Sequence, residues 1–315
     1  MIGSIHAIVR VTFHLVQLQK DKEVTVPSRH VVVFTSFLIS LLWLVACEKA
    51  PPAAVTGIVT SADGIPIKYE SVGSGSPALV FVHCWTCNRG FWDGQAAYFY
   101  NRYQVVRLDL GGHSESGLGR KVYSMSAFGA DVAAVVDKLG LKQVVLVGHS
   151  MGGPVAMEAE KRLGSRVIGV VGVDTFYTGF DYPKGDKVTE FIKPFEGDFP
   201  ATADKFIRSM FPPTADKALV DRMARHFAAG NKEVAVSAMQ QIFVWYEHDS
   251  ANAFARVGNR LHNINADRQG DNKPLHTSVV LIPGVGHFVA QEKPVEFNRV
   301  LEGMIRQFAD GAGKI

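Results

Sequence analysis

The chain has 315 residues, 47% of them hydrophobic, with 33 Lys and Arg against 30 Asp and Glu and a formal net charge of +3. That length is ample for one domain with an insert, and no internal repeat or low-complexity tract interrupts it. The charges form no basic patch or block, which argues against nucleic acid as a partner.

Residues 1–46 read as a targeting segment. Val31 to Ala46 is an apolar run preceded by Arg29 and His30, and it ends Leu44-Val45-Ala46-Cys47, a small residue directly before cysteine. The run is short for a membrane-spanning helix. It looks like a bacterial lipoprotein signal, which implies cleavage before Cys47 and a diacylglycerol on its thiol. Such a protein is anchored in the cell envelope through that lipid and faces the periplasm or exterior. An uncleaved N-terminal anchor is the alternative. Residues 1–25 do not resemble a short n-region and suggest a start assigned too far upstream. Residues 47–54, with Pro51 and Pro52, read as a lipidated tether.

Strands and helices then alternate. Ile65 to Glu70, Leu79 to His83, Val105 to Asp109, Val144 to Gly148 and Val167 to Val173 are strand candidates. Ser124 to Leu139 reads as a helix with Phe128, Val132, Val135, Val136 and Leu139 on one face and Gly140 ending it. This order predicts an α/β fold with a doubly wound, mostly parallel sheet. Ligands of such sheets sit at the C-terminal strand ends. Cys84-Trp85-Thr86-Cys87 follows the second of these strands. It lacks the setting of a redox helix and the ligand count of a zinc site, so the two cysteines read as partly buried thiols, with a disulfide as the alternative outside the cytoplasm.

Val144 to Gly153 is the most informative stretch. An apolar strand ends in Gly148-His149-Ser150-Met151-Gly152, and Pro154, Val155, Ala156, Ala159 and Leu163 continue as a helix with one packed face. Gly-x-Ser-x-Gly at a strand-to-helix turn exposes the Ser150 hydroxyl and puts the Met151 N–H at a helix N-terminus, where it can hold an oxyanion. A serine nucleophile needs a base, and the base needs an acid to fix its tautomer. His287, in the Gly-rich turn after Val279 to Ile282, is the base candidate. Asp267, closing the short strand from Leu261, is the first acid candidate. Asp174, closing the stronger strand from Val167, is the alternative, with Asp271 or no acid as the remainder. The backbone N–H of Trp85 is the second oxyanion donor candidate, and His83 reads as a brace for that loop.

Residues 176–256 contain no strong strand. Pro200, Pro212 and Pro213 separate helical stretches at Ala203–Phe211, Asp216–Ala229 and Glu233–Tyr246, which suggests a helical cap rich in aromatics over the site.

Together these residues resemble the α/β-hydrolase superfamily, in its cap-bearing, esterase-like branch, over about residues 55 to 310. The landmarks are His83 and its turn, Asp109 to Ser116, the Ser150 elbow, and Gly286-His287-Phe288 with Glu292-Lys293-Pro294. The resemblance implies a hydrolase core at 55–175 and 257–315 and a structural turn at Asp109 and His113. It favours an acid after the seventh strand, hence Asp267, though some members use the sixth. Cys84 departs from the glycine usual at that position. The implied activity is cofactor-independent and metal-free cleavage of a small or medium apolar carboxylic ester through an acyl-enzyme. Alternatives are a lactone, thioester or carbon–carbon bond hydrolase, or a ligand-binding receptor of this fold with little turnover.

Overall fold

A computed structural model describes residues 53–177, 182–267 and 278–312. The targeting segment, Cys47, most of the tether and Asp271 lie outside the described residues. Among the described residues, eight strands form one sheet in the order β1-β2-β4-β3-β5-β6-β7-β8. They are β1 (Val55–Thr60), β2 (Pro66–Val72), β3 (Ala78–Val82), β4 (Val105–Leu108), β5 (Val144–His149), β6 (Val167–Val173), β7 (Leu261–Ala266) and β8 (Val279–Ile282). β1 pairs antiparallel with β2 and β2 with β4, while every pair from β4 to β8 is parallel. β1 is the strand that sequence did not suggest. It is an edge strand whose residues are exposed or half-buried, so it carries no inward apolar alternation.

The central strands are buried on both faces, as a parallel sheet requires. Leu79 and Phe81 of β3 join Val145 and Val147 of β5 in one core, and Val80 and Val82 join Val144 and Leu146 in the other. This is the two-residue period of a strand dividing its side chains between two layers. Helices α1 (Asp93–Phe99) and α10 (Pro294–Ala312) supply the first layer, and α2 (Met125–Lys138) and α3 (Gly152–Leu163) the second. The Ser124 side chain caps α2 by accepting the Ala127 N–H at 3.1 Å.

Among the described residues, five helices stand between β6 and β7: α4 (Asp186–Glu196), α5 (Phe199–Arg208), α6 (Lys217–Ala228), α7 (Lys232–His248) and α8 (Ser250–Val257). Asp198, Asp216 and Asn231 cap α5, α6 and α7 through their side chains at 3.2, 2.7 and 3.1 Å. A short α9 (Val289–Glu292) follows β8. No helix among the described residues is long and apolar enough to cross a membrane.

Candidate active site

Ser150 stands immediately after β5 with φ of 53°, a left-handed conformation that a non-glycine residue adopts only when its surroundings enforce it. The turn depends on its glycines. A Cβ on Gly148 would lie 2.0 Å from the Gly152 carbonyl oxygen, and one on Gly152 would lie 2.5 Å from the Val82 carbonyl oxygen. The Ser150 N–H donates to the Val173 carbonyl at 2.9 Å, which ties the elbow to the end of β6.

The carboxylate that pairs with His287 differs from the first expectation. The His287 Nδ1–H donates to Asp174 Oδ2 at 2.5 Å, and Asp174 is only 1% exposed. Asp267 stands exposed just past β7, and its N–H donates to the Ile282 carbonyl at 2.9 Å. The carboxylate facing His287 is therefore that of Asp174, at the end of β6, and not that of Asp267. The reason lies in strand β7. Two of its polar residues, Asn263 and Asn265, hold the turn that carries Asp174. Asn263 and Asn265 donate through Nδ2 to the Thr175 carbonyl at 3.0 and 3.2 Å, and Asn265 Oδ1 accepts the Thr175 N–H at 3.3 Å. Asp174 Oδ1 accepts the Ala266 N–H at 2.8 Å. With φ of 46° at Asp174 and 59° at Phe176, this turn is strained and needs that bracing.

His287 is held from three further sides. The Glu292 carboxylate accepts the Gly286 N–H at 2.9 Å and the Phe288 N–H at 3.2 Å, gripping the backbone on either side of the imidazole. Burial raises the Glu292 carboxyl above its ordinary range, while these two N–H groups pull it back. The His287 N–H donates to the Met210 carbonyl at 3.0 Å, which couples the turn to the cap. Its carbonyl accepts from His149 Nε2–H at 2.9 Å. Burial, then the nearby His287 ring, lowers the His149 imidazole to about 3, so it serves as a neutral donor. Sequence reasoning gave no role to His149, and it named Glu292 only as a landmark. The five-residue spacing from His287 to Glu292 is the signal that was available.

The loop after β3 is a tight turn, with the Cys87 N–H donating to the Cys84 carbonyl at 3.1 Å and Thr86 at φ of 52°. The turn brings the two cysteine Cα atoms to 5.2 Å, inside the span a disulfide bridges, and Cys84 and Cys87 are so joined. This corrects the expectation of two thiols. His83 braces the loop as expected. A carbonyl only accepts and an N–H only donates, so His83 Nδ1–H donates to the Cys84 carbonyl at 2.8 Å while Nε2 accepts the Leu110 N–H at 3.0 Å. Burial holds its imidazole well below the ordinary value, which keeps this neutral tautomer. The expected structural turn at Asp109 is also formed. The buried Asp109 carboxylate accepts the Arg89 N–H at 2.8 Å and the Glu115 N–H at 3.2 Å and pairs with the Arg89 guanidinium.

These elements surround one cavity of about 470 Å³. Ser150, Met151, Asp174, His287, Cys84 and Trp85 stand on its core side. Phe191, Phe206, Met210, Phe227, Met239 and Phe243 face them from the cap. The described lining contains no Lys or Arg, and Asp174 is its one acidic residue. The backbone N–H groups of Trp85 and Met151 donate to no other described residue. Among the described residues, no group of three His, Cys, Asp or Glu side chains is arranged to hold a metal ion.

A mostly parallel eight-stranded sheet, a serine elbow after β5 and an imidazole–carboxylate pair after β8 and β6 define the class of α/β-hydrolase folds. Residues 79–300 match the alpha/beta hydrolase family, and the chain belongs to it. It is 43% identical over 96 residues to a non-heme haloperoxidase of Rhodococcus erythropolis, a match spanning 30% of this chain and 35% of that protein. It is 38% identical over 99 residues to a bifunctional esterase/perhydrolase of Acinetobacter calcoaceticus, spanning 31% and 36%. These matches thus cover about a third of the length of the curated relatives. A thermophilic esterase from Thermogutta terrifontis superposes with a TM-score of 0.68 at 19% identity, covering 82% of this chain and 99% of that one. A bromoperoxidase from Bacillus anthracis gives 0.68 at 20% identity, covering 80% and 100%. At such identities the structural likeness shows the fold alone.

Proposed function

We propose that the protein hydrolyses neutral, apolar carboxylic esters of small or medium size through an acyl-enzyme on Ser150. The observation that carries this reading is the His287–Asp174 hydrogen bond of 2.5 Å on the cavity that Ser150 lines. With Nδ1 committed to the carboxylate, the neutral imidazole presents Nε2 as a proton acceptor. His287 takes the Ser150 proton as the hydroxyl attacks the ester carbonyl. The oxyanion rests on the free N–H groups of Met151, at the start of α3, and Trp85. His287 then protonates the departing alcohol, and water, activated by the same base, releases the acid. The aromatic and Met-rich cap wall favours apolar acyl or alcohol groups, and the lack of a cationic side chain among its described residues disfavours an anionic substrate.

A fluorophosphonate that phosphonylates activated serines tests this directly. Expected is one equivalent incorporated on the peptide containing Ser150, with p-nitrophenyl ester turnover lost in step. Turnover that persists in fully labelled protein, or labelling elsewhere, overturns the reading. Perhydrolysis, named for one of the relatives, uses the same acyl-enzyme with hydrogen peroxide in place of water. Running the ester assay with and without peroxide separates the two.

The proposal extends to location: a lipoprotein of the cell envelope, anchored through Cys47. The Cys84–Cys87 disulfide supports it, because such bonds persist in oxidising compartments. Labelled palmitate should enter the wild-type protein and not Cys47→Ser; label retained in that variant rules out this attachment site.

A further inference from the structure

The Cys84–Cys87 bond occupies an unusual place. It spans Trp85, whose backbone N–H is the proposed second oxyanion donor, and both sulfurs are buried, with Cys84 2% and Cys87 1% exposed. Cys84 stands on the wall of the Ser150 cavity. Cys87 stands on the wall of a neighbouring cavity of about 360 Å³, together with Thr86, Asn88, His113 and His226. The disulfide loop therefore forms part of the partition between two cavities.

That loop has reason to relax. Thr86 occupies the third position of the turn at φ of 52°, where glycine or asparagine normally sits and a β-branched residue is strained. Besides the disulfide and the Cys87 N–H donation to the Cys84 carbonyl at 3.1 Å, further contacts oppose relaxation. The Cys84 carbonyl accepts from His83 Nδ1 at 2.8 Å, the Trp85 indole donates to the Ala235 carbonyl of α7 at 2.7 Å, and the chain at Gly230 packs against Thr86, where an added Cβ would lie 3.1 Å from the Thr86 Cβ. The first fixes the carbonyl of residue 84 and the second fixes a side chain. The Cys84 carbonyl and the Trp85 N–H belong to one planar peptide, so the hydrogen bonds to that carbonyl aim the donor, and the ring that the disulfide closes over residues 84–87 keeps that peptide from turning as Thr86 relaxes.

We propose that the Cys84–Cys87 disulfide is a positioning element for the oxyanion donor at Trp85, and that it makes turnover sensitive to thiols. The inference rests on the reading of Ser150 as nucleophile and Trp85 N–H as donor. A ring this small removes little freedom from the unfolded chain, so the bond contributes less to global stability than to local geometry. Its reduction by a dithiol balances in two exchanges. A reagent thiolate attacks one cysteine sulfur and expels the other as a thiolate, giving a mixed disulfide. The second reagent thiol then displaces the remaining cysteine and leaves the reagent as its cyclic disulfide. Two electrons and two protons pass to Cys84 and Cys87. Burial of both sulfurs limits this to small reductants entering through the cavities.

The test is steady-state ester hydrolysis by the full chain, with active sites titrated so that kcat refers to competent protein. Dithiothreitol treatment and the Cys84→Ser/Cys87→Ser double variant are each expected to lower kcat by about ten- to a hundred-fold, below the full loss of an oxyanion donor. KM should stay within about two-fold, because Cys84→Ser changes one atom of the cavity wall and the aromatic side chains opposite it are untouched. Reoxidation with glutathione disulfide should restore the wild type, and the double variant should ignore dithiothreitol. Unchanged kcat per titrated site in the double variant overturns the proposal. So does a loss matched by falling thermal stability and not reversed by reoxidation, which assigns the bond a merely structural role. Fluorophosphonate-labelled wild type that still turns over ester fails the underlying hydrolase reading instead, whatever the disulfide variants do.

Discussion

Asp174→Asn is expected to lower kcat about 10⁴-fold, and Asp267→Asn to leave it within about two-fold. The two substitutions change the same atoms in residues one strand apart, so the contrast isolates position. In the wild-type protein Asp174 Oδ2 accepts from His287 Nδ1–H, and Oδ1 accepts the Ala266 N–H at 2.8 Å. An asparagine at 174 can keep the second bond by turning its carbonyl oxygen to Ala266. Its NH₂ group then faces the imidazole and donates where the carboxylate accepted. His287 Nδ1 must become the acceptor, the ring proton moves to Nε2, and the atom that should take the serine proton is already occupied. The fold is preserved and the tautomer is wrong. Asp174→Asn should therefore melt close to the wild type, KM should move little, and the loss should fall on kcat. Asp267→Asn touches an exposed side chain outside the described cavity lining. Comparable kcat losses in both variants, measured with a p-nitrophenyl ester, would falsify the assignment of Asp174 as the acid.

This pair of aspartates also marks where sequence stopped being informative. The core strands were legible because strands buried on both faces read as apolar runs, and Val144 to Val147 and Val167 to Val173 carry that signal undiluted. The turns that carry Ser150 and His287 were legible because Gly148, Gly152 and Gly286 mark backbones that allow no side chain. Three distances show why, since a Cβ at these positions would lie 2.0 Å, 2.5 Å and 2.2 Å from the carbonyl oxygens of Gly152, Val82 and Met210. The carboxylate that pairs with His287 had no such marker. Each strand end supplied one aspartate, and choosing between them needed the pairing of β6 with β7, which places Asn263 and Asn265 beside the 174–175 turn. The polarity of β7 was visible in the sequence, but its meaning was not, because those side chains satisfy the backbone of another strand. The edge strand β1 stayed hidden for the opposite reason. It buries almost nothing, so no inward apolar alternation marks it, although five of its six residues are β-branched. The disulfide needed the Cys84–Cys87 turn, which the left-handed Thr86 closes and which no propensity argument predicts for a threonine.

Ser150→Ala is expected to lower kcat about 10⁶-fold, His287→Ala by a similar factor, and the double variant by no more than either alone. Non-additivity is the informative part. If Ser150 is the nucleophile and His287 its base, removing either one abolishes attack, and removing the second takes away nothing that was still acting. What remains in all three variants is the electrostatic contribution of the Met151 and Trp85 N–H groups and of substrate binding, about 10³- to 10⁴-fold over water. The environment favours a clean reading. His287 is anchored by its backbone to Met210, His149 and Glu292 through its neighbours, so an alanine at 287 should leave the turn in place. An alanine at 150 keeps the left-handed φ of 53° that the Val173 and Gly153 hydrogen bonds enforce, without adding bulk to the elbow. KM for the ester should change little in each variant, because the aromatic and Met side chains facing Ser150 and His287 across the cavity are untouched. Losses that multiply in the double variant would mean that the two side chains act in separate steps. The imidazole at the end of β8 would then serve some purpose other than drawing a proton from the hydroxyl at the end of β5.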